Sequence, residues 1–170
     1  GTVPVEADGS AHFRAPANRP LYFAALDENF MEIQRMRSFT SVAPGQQFSC
    51  VGCHEQRVGA PHSISTDLAA LRRRPSPVEP IADVADVPDF PRDVQPILDK
   101  HCVECHNADQ REGRVDLTGD KTSMYTMSYW AMRNHELVSD GRNQPYGNRP
   151  PRSYGSAASK LMRLIDGSHY

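Results

Sequence analysis

Two copies of one five-residue pattern constrain this chain more than anything else in it. Cys50-Val51-Gly52-Cys53-His54 and Cys102-Val103-Glu104-Cys105-His106 both have the form Cys-x-x-Cys-His, and together they use all four cysteines. Two thiols at this spacing reach the two vinyl groups on one edge of a porphyrin and become thioethers. The histidine that follows is then swung beneath the ring, where it binds the iron as axial ligand. Longer spacing would leave one vinyl unreached, and a displaced histidine would miss the iron axis. The pattern reads as two covalent c-type haems, one on Cys50 and Cys53 with His54, the other on Cys102 and Cys105 with His106.

Other uses of paired cysteines fit less well. A zinc ribbon sets its pairs about 15–20 residues apart, whereas 48 residues separate Cys53 from Cys102. A thioredoxin-like redox pair needs neither a second copy nor a histidine after each, and a disulfide framework makes both histidines coincidences. With no cysteine left over, export and haem attachment in an oxidising compartment are expected, so a periplasmic or extracellular location.

Composition narrows the rest. A net charge of −2, with 24% charged residues, excludes a nucleic-acid binder working by bulk charge. No run of eighteen apolar residues is present, so no membrane span is expected. The chain opens at Gly1 without an initiator methionine, which reads as a processed or excised segment. Three lysines stand against sixteen arginines, a bias toward planar, bidentate carboxylate contacts. Each haem brings two propionates, for which Arg14, Arg35, Arg37 and Arg114 are candidate partners.

The fold class expected is α+β: a small antiparallel β unit followed by a mainly α, loop-rich, cytochrome c-like lobe. Residues 1–74 form the β unit with the first motif. Asp8-Gly9, Asp27-Glu28-Asn29 and Pro44-Gly45 mark turns between about three strands. Met31 and Ile33 fall on one face of a strand, Gln34 and Met36 on the other. Ser65-Thr66-Asp67 is expected to cap a short helix running through Leu68 and Leu71 to Arg72-Arg73-Arg74. Five prolines make residues 75–91 an extended connector. Residues 92–170 form the second lobe, opening with a helix from Asp93 to His101 on which Val94, Ile97, Leu98 and His101 share helical spacing. Ser128–Leu137 and Ser159–Ile165 read as further helices, the last stopped by Gly167. Residues 139–155 read as a long irregular loop.

Several stretches together carry a family resemblance: Val5-Glu6-Ala7-Asp8-Gly9-Ser10, Met36-Arg37-Ser38, Cys50 to Glu55, Phe90-Pro91-Arg92-Asp93-Val94-Gln95-Pro96-Ile97-Leu98 and Ser159-Lys160-Leu161. Over most of its length the chain resembles the di-haem C-terminal portion of hydrazine synthase alpha-subunit-like proteins. The second lobe is also similar to planctomycete-type cytochrome c domains. The resemblance implies an iron-binding tyrosine four residues after the first motif's histidine. This chain has Val58 there, which offers no lone pair, so the resemblance supports fold and cofactor rather than hydrazine-forming chemistry.

The sixth ligands decide what such irons do, since a closed site passes electrons and an open one binds small molecules. For the first haem the candidate is Met36, within the step shared with the family, with His12 and His62 as rivals. For the second it is His169, because the resemblance implies a histidine after Ser159-Lys160-Leu161; Met124 and Met127 are rivals. His101 and His135 read as surface residues, and Tyr125, Tyr129 and Trp130 as packing on the second porphyrin edge. The expected function is outer-sphere electron transfer with redox partner proteins. Alternatives are a haem enzyme with one open iron, of peroxidase or hydrazine-synthase-like type, and a subunit of a conducting filament or of a larger multidomain protein.

Overall fold

The structure is a computed structural model and describes residues 1–36, 38–52, 67–141 and 149–168. Among these the architecture is a small antiparallel hairpin joined to a compact helical lobe, an α+β mix.

The hairpin pairs β1, Ala24–Leu26, with β2, Glu32–Arg35, and a bulge between Ala25 and Leu26 shifts the register. Asp27 builds the turn: its Oδ1 accepts from the amides of Asn29 and Met31, which lets Phe30 take a left-handed backbone at φ 59°. The expected three-stranded unit is reduced to these two strands. Leu21 makes only an isolated bridge to Thr40, and Phe13 one to Ser76, its ring packing edge-on to Phe23 at 5.5 Å. Met31 and Met36 flank β2 instead of lying within it.

The short helix near residue 70 is a single 3₁₀ turn, Ala69–Arg72, entered through Leu68, which makes no side-chain cap. Ser65 and Thr66 lie outside the described residues, and the Asp67 carboxylate pairs with Arg72. The turn's amides are met from far along the chain, Ala69 by Asp8 Oδ2 at 2.8 Å and Ala70 by Ser10 Oγ at 3.0 Å. Part of the proline-rich stretch also folds back on this unit: Thr2 bridges Glu79 and Phe13 bridges Ser76. Arg73 fastens it, pairing with Glu6 at 2.6 Å and donating to Ser76 Oγ.

The second lobe starts later than its periodicity suggests. Residues 90–94 form a wide turn, and α1 runs Gln95–His101 with Pro96 in its first turn. Asp89 and Asp93 cap the turn reciprocally, each side chain accepting from an amide near the other. Of the four residues at helical spacing, Leu98 is buried and Val94 half-buried, while Ile97 and His101 face solvent. Helix α2, Met127–Asn134, is capped by Thr126 and buries Ser128, Ala131 and Met132. Helix α3, Lys160–Arg163, runs into a wide turn, Leu164–Ser168, in which Gly167 at φ 96° breaks the helical backbone at the expected stop. The core gathers Leu98, Val115, Leu117, Ala131, Met132 and Leu137, all from this lobe.

Residues 139–141 and 149–155 are irregular as expected, and the hairpin sits on them and on Ser156, which opens a 3₁₀ turn. Arg152 donates its amide to Ile33 O and its guanidinium to Asp27 at 2.7 Å. Glu32 donates its amide to Ser156 Oγ, and Tyr154 donates its hydroxyl to Gln34. Arg35 donates to the Asp140 carbonyl and lies 5.0 Å over the Tyr154 ring.

Candidate cofactor-attachment site

The second motif follows α1 without a break. The Cys102 amide still bonds to Leu98 O, and the His106 amide bonds back to Cys102 O at 3.0 Å. The motif is therefore wound into one helical turn, which brings the two thiols and the imidazole to the same end of the helix. Cys102 and Cys105 are free thiols. Cys105 is exposed, whereas Cys102 is half-buried against the core, and that burial pushes its thiol above the usual range.

Among the described residues three bonds hold His106. Its amide is tied to Cys102 O, its carbonyl accepts from Leu117 N at 2.9 Å, and its Nδ1 lies 2.9 Å from Glu112 O. Since a carbonyl only accepts, Nδ1 carries the proton and the imidazole lone pair is on Nε2. This is the tautomer that metal-binding histidines adopt when the other nitrogen is fixed by a backbone acceptor. Leu117 is among the most buried residues, so the second tie anchors the motif directly to the core.

The loop that supplies Glu112 was not singled out by the sequence. Arg111, Gly113 and Arg114 all have left-handed backbone, at φ 35°, 62° and 62°. That run turns the chain so tightly that the Glu112 amide meets Cys105 O while its carbonyl meets the imidazole. A single glycine, Gly113, was the visible signal.

These residues fit a covalently held porphyrin iron: two thiols in the right order on one turn, and an imidazole oriented through Nδ1. For the first motif the structure describes, of the cysteines and histidine, only Cys50, an exposed free thiol. Cys53, His54, His62, His169 and Arg37 lie outside the described residues.

The remaining candidates are placed as follows. Met36 is half-buried just after β2, with its amide on Phe23 O. His12 is half-buried and its Nδ1 is enclosed with no hydrogen-bond partner among the described residues. Met124 is 77% exposed, and Met127 opens α2, half-buried. His101 is exposed, and His135 is half-buried at the end of α2. Arg14 and Arg114 are exposed, while Arg35 is committed to Glu32, Asp140 and Tyr154. Tyr125 and Tyr129 pack together at 5.0 Å, and Tyr129 meets Phe90 edge-on at 5.2 Å. With Met124 and Lys121 they line an open cleft of about 440 Å³ whose lining includes neither cysteine of the second motif nor His106. Trp130 is about half exposed. No cluster of three or more potential metal-ligating side chains forms among the described residues.

Comparison with protein families adds one finding. Residues 1–55 match the hydrazine synthase alpha subunit middle domain. The match takes in the hairpin and the whole of the first motif, ending one residue after His54. It covers about a third of the chain, and it is to a middle domain, so it narrows a resemblance expected to run along most of the sequence. Comparison with curated proteins and with solved structures finds no match.

Proposed function

We propose that the chain is a di-haem c-type cytochrome unit of an exported protein, periplasmic or extracellular, that transfers electrons by outer-sphere relay to partner proteins. The observation that carries this reading is the second motif itself, two free thiols and a histidine on one turn with His106 Nδ1 on a backbone carbonyl. When bound, each haem supplies a one-electron iron couple. At the second motif the chain's own residues would attach it through Cys102 and Cys105, orient the His106 imidazole and shield one face with the apolar core beside Cys102, with Cys50, Cys53 and His54 as the matching residue types of the first motif. Met36 as the first sixth ligand and His169 as the second would separate the two couples, the methionine-ligated site lying higher. Electrons then run from the second site to the first. Intact mass and absorption spectra of both oxidation states test the reading. It expects two covalent haems, both low-spin, with a far-red sulfur band. A colourless protein with the mass of the bare polypeptide refutes it.

The family match favours a second reading, in which the first motif belongs to a haem enzyme with one open iron. Val58, where that family's tyrosine is expected, argues for a different ligand set. Carbon monoxide uptake by one of two haems in the native protein would select this reading over the relay.

A further inference from the structure

Asn107 follows His106 directly, and its side chain uses every hydrogen-bonding position it has. Nδ2 donates to Val103 O at 2.9 Å and to Glu104 O at 3.0 Å. Oδ1 accepts from the amides of Asp109 and Gln110, both at 3.0 Å. Its backbone carbonyl accepts from Arg111 N. The amide group therefore stitches the end of the Cys-x-x-Cys-His turn to the start of the loop that returns with Glu112. The return needs left-handed backbone at Arg111 and Arg114, conformations that non-glycine residues hold only where surrounding bonds over-determine them. With the stitch gone, the Glu112 amide on Cys105 O at 3.2 Å is the direct tie left between Glu112 and the motif, and among the described residues no side chain of residues 108–114 reinforces it. The Arg111–Asp116 ion pair, at 3.9 Å with the Arg111 side chain more than half exposed, is too weak to do so.

From this geometry we propose that Asn107 is a positioning residue that sets the reduction potential of the second haem by holding the Glu112 carbonyl on His106 Nδ1; the proposal rests on the haem reading of that motif. A hydrogen bond from Nδ1 to an acceptor raises the electron-donating power of Nε2, which favours the ferric over the ferrous ion. Removing the bond therefore raises the potential.

The experiment uses the full chain with its haems attached. Outer-shell partners of ligating histidines alter metal affinity by about ten- to a hundredfold. Asn107→Ala is therefore expected to raise the reduced-to-oxidised ratio of the second haem about tenfold at fixed poise, about 59 mV for one electron. Exchange of the His106 Nδ1 proton, followed by NMR, quickens in step. Gln110→Ala, on the same loop, leaves both as in the unaltered protein. If Asn107→Ala does not fold, Asn107→Ser decides the matter. Its hydroxyl can still accept from the amides at 109 and 110 but cannot bridge back to 103, so a smaller shift of the same sign is expected. An unchanged or lowered potential in whichever variant folds overturns the proposal. A chain without haem on Cys102 and Cys105 refutes the haem reading instead, and proton exchange at His106 in the metal-free chain still tests the role of Asn107.

Discussion

Gly155→Ala is the sharpest test of how the hairpin and the helical lobe are joined. Gly155 has φ 83° and ψ −163°, a region open essentially to glycine alone, and a residue with a side chain pays about 1–3 kcal/mol to stay there. Space is also lacking. A Cβ at this position would lie 2.6 Å from Glu32 Cδ, 2.7 Å from its Oε1 and 2.9 Å from its Cβ. Forcing a methyl into a filled site typically costs about 1–3 kcal/mol. The Glu32–Arg35 pair adds little to the loss, because burial raises the Glu32 carboxyl above its usual range despite Arg35 at 3.2 Å. The two larger contributions sum to about 2–6 kcal/mol, a large part of a small domain's net stability. Urea unfolding reads the loss as a lower midpoint at constant slope. Glu32→Ala removes the two closest contacts and keeps the third. In the double variant the steric part should partly return, leaving a coupling of about 1 kcal/mol or more. A loss under about 0.5 kcal/mol, or strict additivity with Glu32→Ala, refutes the close seating of the hairpin on residues 139–156.

Three further outcomes follow from single residues. Leu117→Ala should cost about 2–5 kcal/mol in the same assay, because it empties a core position and slackens the tie to the His106 carbonyl. Glu32→Gln should stabilise the chain at neutral pH. A carboxyl whose folded-state value is raised costs stability as pH climbs past its unfolded value, so the advantage should vanish below about pH 4, measured by thermal unfolding across pH. Asp8 behaves oppositely. Its bonds from the Ser10 hydroxyl and from the Ala69 amide hold it at about 2, so its contribution is complete above its unfolded value and is lost as pH falls toward 2. Asp8→Asn should thus be less stable than the unaltered chain at neutral pH, the gap closing in acid, as the same thermal series would read.

What the sequence made legible divides along a physical line. Features set by covalent spacing or by one residue's backbone preference carried over: the turn at Asp27, the α+β order, the helix leading into Cys102, and the stop at Gly167. Features set by partners distant in sequence did not. The 3₁₀ turn at Ala69 takes bonds to its first amides from Asp8 and Ser10, some sixty residues earlier, which no local pattern announces. Ile97 has helical spacing yet faces solvent, because a seven-residue helix buries a narrower stripe than its periodicity offers. At the second motif the cysteines and histidine were plain. The carbonyl that orients the histidine was not, since backbone acceptors leave no mark on composition. Glycine, proline and asparagine announce an irregular loop after residue 139, but its use as the hairpin's seat lies in Arg152 and Tyr154, ordinary surface residues by sequence.

The burial pattern leads to one more prediction. Among the described residues up to position 80, Ala70 alone is a buried hydrophobic, whereas Tyr22, Phe30, Phe39, Phe48 and Val51 are each more than 40% exposed. Described residues that bury a single alanine offset little of the conformational entropy of their own backbone. On the haem reading the order of this region is drawn from outside: from the polar seat on the helical lobe, and from the porphyrin proposed for the first motif. The amides of β1 and β2 in the chain prepared without cofactor should therefore exchange with solvent far faster than those of α1 and α2, through local opening. Covalent loading at Cys50 and Cys53 should slow the hairpin amides while leaving those of α2 nearly unchanged. Hydrogen exchange read by mass spectrometry on both forms makes the comparison. Equal protection of hairpin and helices in the unloaded chain would show that the first unit is held by its own contacts, and would remove the need for any apolar group at the first motif to order it.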